Sequence, residues 1–307
     1  MLNNNYNNFK KILFFTFTFC LFTNAFSGAD DEIIIAAEKK ALNATNGILS
    51  TLTSDLTESL KKFESVKYLD IKIDVQEHYN PAFSITNLNS LFERDTSAFF
   101  NQNTLTHNKD EQTINFGLGY RKLLNDDKLL LGANIFYDYA FDDNHRRLGL
   151  GVEAISSVFD LRGNLYEAES DEVTLTDGST EEALDGWDAR LDYHIPVGFD
   201  LRVFGTYFDW ENSANTYENK GEQYGLAGQY GLIKFEVGYR DEDNRKKDAF
   251  ANLSLVIPLG SVATSGVVPR GMMELVSVRD QLYEPVEREN RIRVVKVSAG
   301  NIIVSGF

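Results

Sequence analysis

From Lys67 to Ile257 apolar and polar residues alternate with a period of two, and no other feature limits the fold as much. Side chains of a strand point to opposite faces in turn, so this period demands strands with one greasy face and one polar face. The pattern is clearest over residues 112–139. Ile114, Phe116, Leu118 and Tyr120 share one face, and Thr113, Asn115, Gly117 and Gly119 share the other. After the turn Asn125-Asp126-Asp127-Lys128, the run Leu129, Leu131, Ala133, Ile135, Tyr137 and Tyr139 opposes Gly132, Asn134 and Asp138. Two such runs joined by a short polar turn predict a hairpin. The whole region predicts twelve strands, at 68–75, 83–93, 98–107, 112–122, 129–139, 147–156, 159–169, 184–195, 199–210, 222–230, 232–241 and 247–257.

The apolar face could be the core of a soluble sandwich or the lipid surface of a membrane barrel, and three features decide between them. Connections after odd strands are long and polar, as at 170–183 and 211–221, whereas those after even strands are short, as at Pro196-Val197-Gly198 and Tyr230-Gly231. That sorting is the asymmetry of an outer-membrane barrel. Tyr120, Tyr137, Tyr139, Trp187, Tyr193, Tyr207, Trp210, Tyr224 and Tyr239 fall near strand ends on or beside the apolar face, where their amphipathic rings suit a bilayer interface. The opposite face carries Arg147, Glu153, Asp160, Arg162, Asp188, Arg190, Asp192, Asp200, Arg202, Lys234, Glu236 and Arg240. In a dry core each uncompensated charge would cost roughly several kcal/mol, so this face predicts a polar lumen. The expected fold is all-β, a twelve-stranded antiparallel transmembrane β-barrel with outer-membrane lipid against its outer face.

The amino terminus reads as a secretory signal. Lys10 and Lys11 precede an apolar run from Ile12 to Phe22, which ends near Ser27-Gly28-Ala29, and cleavage is expected after Ala29, with Ser27 the alternative. Cys20 lies inside that signal, so residues 30–307 contain no thiol for disulfides, metal binding or catalysis. Residues 30–66 predict a short helical segment on the periplasmic side, from Ile33, Ile34, Ala37, Ala41, Leu49, Leu52, Leu56 and Leu60. The barrel is expected over 67–260, and a pore-threading segment and linker over 261–307. A net charge of −16 argues against a nucleic-acid partner, which would need a basic face.

Four spaced blocks resemble the translocator barrel of the inverse autotransporters, the intimin and invasin family of type Ve secretion. They are Asn115-Phe116-Gly117-Leu118-Gly119-Tyr120-Arg121, Leu131-Gly132-Ala133-Asn134-Ile135-Phe136-Tyr137-Asp138, Arg147-Leu148-Gly149-Leu150-Gly151-Val152-Glu153 and Gly186-Trp187-Asp188-Ala189-Arg190. Past the barrel, Arg279 to Val295 resembles the family's linker, with Tyr283, Val286, Arg288, Asn290 and Ile292 keeping its pattern and Pro285 and Glu289 departing from it. The resemblance implies a periplasmic amino terminus and a carboxyl-terminal segment exported through the pore to the cell surface, usually ahead of an adhesin or invasin passenger. It implies barrel-assembly machinery and periplasmic chaperones as partners, and a host or surface receptor met through a passenger. It also implies that residues 261–280 thread the pore, with Arg270, Glu274, Arg279 and Asp280 facing the charged lumen, and that small residues such as Gly117 and Gly119 leave room for that segment. No adhesin-like domain follows the linker before Phe307, so the sequence leaves open a truncated adhesin or a barrel without a passenger of its own. A simple diffusion pore is the alternative reading.

An outer-membrane enzyme would need a Ser/His or Asp/His constellation. Among His78, His107, His145 and His194, only His145 lies in an acidic loop and His194 beside an inward Asp192, and no serine motif accompanies either. Asp142-Asp143-Asn144 and Glu181-Glu182 are calcium ligands in residue type, but their spacing fits no known loop. No catalytic, metal or cofactor site is therefore expected.

Overall fold

A computed structural model describes residues 65–77, 79–108, 111–175, 178–213, 216–243, 245–258, 273–298 and 301–305. The expected signal and amino-terminal helix lie outside these residues, as do Arg270 and most of the segment 261–280. Twelve antiparallel strands close into a barrel. They are β1 (Val66–Gln76), β2 (Ala82–Arg94), β3 (Ser97–Asn108), β4 (Glu111–Leu124), β5 (Leu129–Ala140), β6 (Arg146–Ser156), β7 (Phe159–Ala168), β10 (Asp185–His194), β11 (Asp200–Glu211), β12 (Glu218–Tyr230), β13 (Ile233–Glu242) and β14 (Asp248–Pro258). Each pairs with its neighbour in the chain, β7 pairs with β10, and β1 closes on β14 with Ile71 opposite Leu255.

Two short strands, β8 (Val173–Thr174) and β9 (Thr180–Ala183), occupy the β7–β10 connection that the sequence predicts only as a polar loop. They form a second, four-stranded sheet with β15 (Val294–Ser298) and β16 (Asn301–Ser305), in the order β16-β15-β9-β8. β12 also begins earlier than expected, at Glu218.

The burial pattern inverts that of a soluble sheet. Along β4 the buried positions are Thr113, Asn115, Gly117, Gly119, Arg121 and Leu123, while Ile114, Phe116 and Tyr120 are exposed. A row of opposed outward residues crosses the barrel wall as Leu118, Ile135, Leu150, Leu165 and Trp187. Val152 is 64% exposed and Leu165 61% exposed, whereas Asp138, Arg121 and Arg147 are 0% exposed. A continuous apolar band of this extent is not tolerated in water and is the outer face of a membrane barrel. Trp210 departs from the expected aromatic belt: it points inwards, 1% exposed, and packs on Tyr166.

The barrel has two unlike ends. One carries the connections 77–81, 141–145, 169–184, 212–217 and 243–247, with 109–110 the single short one; the other carries 95–96, 125–128, 157–158, 195–199 and 231–232. At the short-turn end Asn125, Asp126 and Asp127 take φ of 52°, 55° and 65°. Asn and Asp tolerate this left-handed region better than other side chains, so the residues between β4 and β5 suit the turn they form.

Candidate functional site

The lumen is occupied by the chain's own segment 278–293. A 3-10 helix, η1 (Arg279–Tyr283), leads into extended backbone that runs to β15. The segment begins at the short-turn end. There Val276 N donates to Ser157 Oγ (2.9 Å), Val278 N donates to the Asp127 carbonyl (2.8 Å), and Arg279 pairs with Asp127 at 2.9 Å. It leaves at the long-loop end, where Leu184 N donates to the Arg293 carbonyl (2.8 Å) and β15 pairs with β9.

This course corrects one expectation. Glu274, Arg279 and Asp280 are exposed at the short-turn mouth instead of facing the lumen. The stretch that fills the barrel lies further along, in the residues read from sequence as a linker.

Within the barrel the segment is held on its backbone by side chains of the wall. Gln102 reads Val286 as a strand would: its Oε1 accepts from Val286 N (2.7 Å) and its Nε2 donates to the Val286 carbonyl (3.5 Å). Arg121 donates to the carbonyls of Gln281, Leu282 and Glu284 while its guanidinium pairs with Glu153. Asn115 donates to the Asn290 carbonyl (2.7 Å), Asn164 to that of Glu287 (3.2 Å) and Arg147 to that of Glu289 (2.6 Å). Glu289 N donates to the Tyr166 hydroxyl (2.8 Å), which donates in turn to Asp188 (2.6 Å). Buried backbone groups need such partners, and here a loop without regular structure obtains them from the wall.

Of the residues that match the family's linker pattern, Tyr283, Val286, Arg288 and Ile292 have defined side-chain seats, and Asn290 is held through its backbone carbonyl. The Tyr283 hydroxyl accepts from Ser90 and donates to Glu93, both at 2.8 Å. Val286 joins Val278, Leu282 and Tyr283 in an apolar cluster with Tyr68, Leu88, Phe100, Leu123, Leu130, Phe136, Ile155 and Val256. Ile292 packs with Ala140, Ala183 and Val294 near the exit. Arg288 makes a bidentate pair with Asp138, both bonds at 2.7 Å, and its guanidinium lies 4.3 Å from the Phe136 ring centroid. Asp138 also accepts from Arg147 Nε (2.9 Å) and Asn115 Nδ2 (2.8 Å). A fork-on-carboxylate pair stacked on a ring fixes both position and orientation.

The lumen residues named from sequence form ion pairs around this segment. Arg162 bridges Asp160 (3.1 Å) and Asp192 (3.0 Å), Arg190 meets Asp192 (2.9 Å) and Glu236 (2.8 Å), Arg202 lies 3.6 Å from Asp200, and Arg240 pairs with Glu242. Lys234 lies over the Tyr68 ring at 5.3 Å. The segment is hydrogen-bonded mainly to the β2–β7 wall, with Tyr68, Trp210 and Val256 packing on it from other strands. Beside it remains a polar cavity of about 230 Å³ lined by Lys72, Asp74, Arg190, Lys234, Glu236 and Glu287 among others.

Sequence reasoning did not assign Gln102, Arg121, Asp138, Asn164 or Tyr166 to the site. Arg121 and Asp138 lie in the family-like blocks, but the only local signal of all five is a polar group or ring on the inward face of a strand. Gly117 and Gly119 serve a different purpose from the one expected: a side chain there would strike the rings of Phe136 and Phe100. Gly149 is the glycine that faces the threaded segment, since a Cβ there would lie 2.7 Å from Arg288 Nη2. That nitrogen is tied to Asp138 and cannot swing aside freely. Gly149→Ala should therefore destabilise the folded chain by about 1–3 kcal/mol, the range for overpacking, in a urea titration of the detergent-solubilised protein.

His145, His194 and the acidic loop residues Asp142, Glu181 and Glu182 make local contacts. Asp142 accepts from Gln112 N (2.8 Å), Glu181 meets His145 Nε2 (3.1 Å), and Glu182 accepts from Asn212 and Ser213. His194 sits 3.1 Å from Asp160.

The barrel fold agrees with three comparisons. Residues 24–290 match the family described as inverse autotransporter, beta-domain. The chain is 30% identical over 277 residues to the inverse autotransporter adhesin YeeJ of Escherichia coli K12, a match that covers 83% of this chain and 11% of YeeJ. It is 25% identical over 190 residues to the uncharacterized protein YchO of the same organism, covering 60% of this chain and 40% of YchO. The chain thus spans well under half the length of either relative. A solved membrane-protein structure, described as "Unveiling the Mechanism Behind the in-meso Crystallization of Membrane Proteins", shares the fold with a TM-score of 0.63 and 20% identity, over 75% of this chain and 100% of that one. With a lipid-facing barrel, these matches put the chain in the bacterial outer membrane, in a translocator or pore role. It belongs to the inverse autotransporter beta-domain family.

Proposed function

We propose that this chain is an outer-membrane translocator that carries its carboxyl-terminal segment to the cell surface and then stays plugged by it. The observation that carries this reading is the direction of the threaded segment, from the short-turn end near Ser157 and Asp127 to the long-loop end at β9. Outer-membrane barrels keep short turns in the periplasm and longer loops outside. On that orientation the amino terminus is periplasmic and β15 and β16 are extracellular. Assembly then draws on periplasmic chaperones and the barrel-assembly machinery, and adhesion to a host or surface receptor, the role carried in YeeJ's name, belongs to whatever the exported segment presents.

The test uses intact cells expressing the full chain with an epitope tag after Phe307. Added protease should remove the tag without permeabilisation, while a tag inserted after Ala29 should stay protected until the outer membrane is opened. A carboxyl-terminal tag cleaved only after permeabilisation would overturn the reading. The second reading, a diffusion pore, draws on the polar cavity beside the segment, and it predicts the same conductance with and without residues 273–307.

A further inference from the structure

The β7–β10 connection does more than close the barrel. Its hairpin offers one edge of β9 to the chain leaving the lumen, with Ala183 opposite Val294, Glu182 opposite Val295, Glu181 opposite Lys296 and Thr180 opposite Val297. Leu184 N donates to the Arg293 carbonyl. Hydrogen-bonded pairs of an antiparallel ladder recur at every second residue. The Glu182/Val295 and Thr180/Val297 pairs therefore face each other with their backbone donors and acceptors, and β16 then pairs on the far side of β15.

That edge is fixed by groups that do not belong to the emerging chain. On one side the Glu181 carboxylate meets His145 Nε2 at 3.1 Å, and His145 Nδ1 meets Ser170 Oγ at 3.1 Å. On the other, Glu182 accepts from Asn212 Nδ2 and Ser213 N, both at 3.0 Å. The connections 141–145 and 212–217 thus brace β9 from both flanks. Side chains beneath the edge complete a seat: Ala183 packs with Ala140, Ile292 and Val294, and Leu184 with Tyr166, Trp210 and Val295. Natural proteins usually blunt or cover a free strand edge, because it recruits other chains. Here the edge is instead held rigid at the exit of the lumen.

We infer that the 169–184 hairpin is a strand-addition template for the exported chain. Resting on the export reading above, the inference names the partner of this loop: an extended backbone segment of the exported chain itself, with apolar residues at the positions of Val294 and Val295. Main-chain bonds supply the attraction in such strand addition and alternate side-chain seats supply the selection. Each backbone bond formed outside biases the segment against sliding back by about fivefold. The captured β15 then presents its own outer edge, on which β16 folds.

Surface appearance of the tag after Phe307 is followed in a pulse-chase with protease shaving, counting only chains whose barrel resists unfolding in cold detergent. Thr180→Pro removes a donor from the template edge, and Val295→Pro removes the matching donor from the captured strand. Each should slow surface appearance about fivefold or more while the barrel assembles. Unchanged rates for both variants in the assembled fraction would overturn the template. A wild-type tag that never reaches the surface would instead overturn the export reading. Should the prolines prevent assembly, replacing residues 171–182 by a short Gly-Ser linker removes the edge altogether, and a wild-type rate in those barrels would likewise overturn it.

Discussion

Removal of residues 273–307 will convert a nearly silent barrel into a conducting one, raising single-channel conductance in planar bilayers by roughly tenfold or more. In the full chain Val278, Leu282, Tyr283 and Val286 of the threaded segment pack against Tyr68, Leu88, Phe100 and Val256 near the short-turn end and narrow the lumen there. Apolar constrictions block ions by excluding water, and beside this cluster the threaded segment leaves only a polar cavity of about 230 Å³ in the lumen. The barrel wall should survive the deletion, because its own pairs remain: Arg121 with Glu153, Arg147 with Asp138, and Arg190 with Glu236. A milder variant, Leu282→Ser with Val286→Ser, keeps every wall contact to the segment's backbone and should raise conductance part of the way. Conductance that is the same in the full and shortened chains would defeat the plug and leave the diffusion pore standing.

Much of the barrel is legible in the sequence because a strand's two-residue period is a property of the backbone, and lipid on one side with water and charge on the other writes it directly into residue type. Outward Ile114, Phe116 and Tyr120 and inward Thr113, Asn115 and Arg121 need no partner to be read. The second sheet is not legible in this way. β8 and β9 are too short to carry a period, and the partner of Val294–Val297 lies in a loop more than a hundred residues earlier, a pairing that no local pattern encodes.

The sequence predicts a pore-threading segment over 261–280, and the stretch that fills the lumen is displaced from it for a related reason. Gln281, Glu284, Glu287, Arg288 and Glu289 read as part of a linker after the threading stretch, since burial is usually inferred from apolar residues. A lumen lined with charge inverts that rule, and polar residues fill it. The inward aromatics follow the same logic. Phe100 lies under Arg121 at 5.0 Å, Phe208 under Arg240 at 4.5 Å and Trp210 under Arg293 at 4.8 Å. Rings that stack on guanidinium groups belong to the polar interior, so the sequence reading of Trp210 as a membrane-interface residue failed where a cation, absent from the local sequence, claimed its face.

Asp138→Ala should be the most damaging single substitution in the lumen. Asp138 receives Arg147 and Arg288 together with Asn115, and it is inaccessible to solvent. Its removal strands two buried guanidinium groups at once, and losing one partner of a buried ion pair costs about 3–5 kcal/mol. Arg288→Met should cost less, because Asp138 keeps Arg147 and Asn115 and the methionine can lie on Phe136. The exposed pair Arg279–Asp127 sets the lower bound: Arg279→Ala should change stability by about 0–1 kcal/mol. The readout is urea unfolding in detergent, in a Trp187→Phe background so that Trp210 alone reports. Trp210 sits on Tyr166 and under Arg293, so its emission follows the threaded segment as well as the wall. Asp138→Ala is expected to shift that emission at urea concentrations where the wild-type signal is unchanged, and to expose the segment 281–293 to protease before the barrel unfolds. A midpoint within about 0.5 kcal/mol of wild type, the range of substitutions that touch nothing important, would mean that the Asp138–Arg288 pair is not what holds the exported segment in the wall.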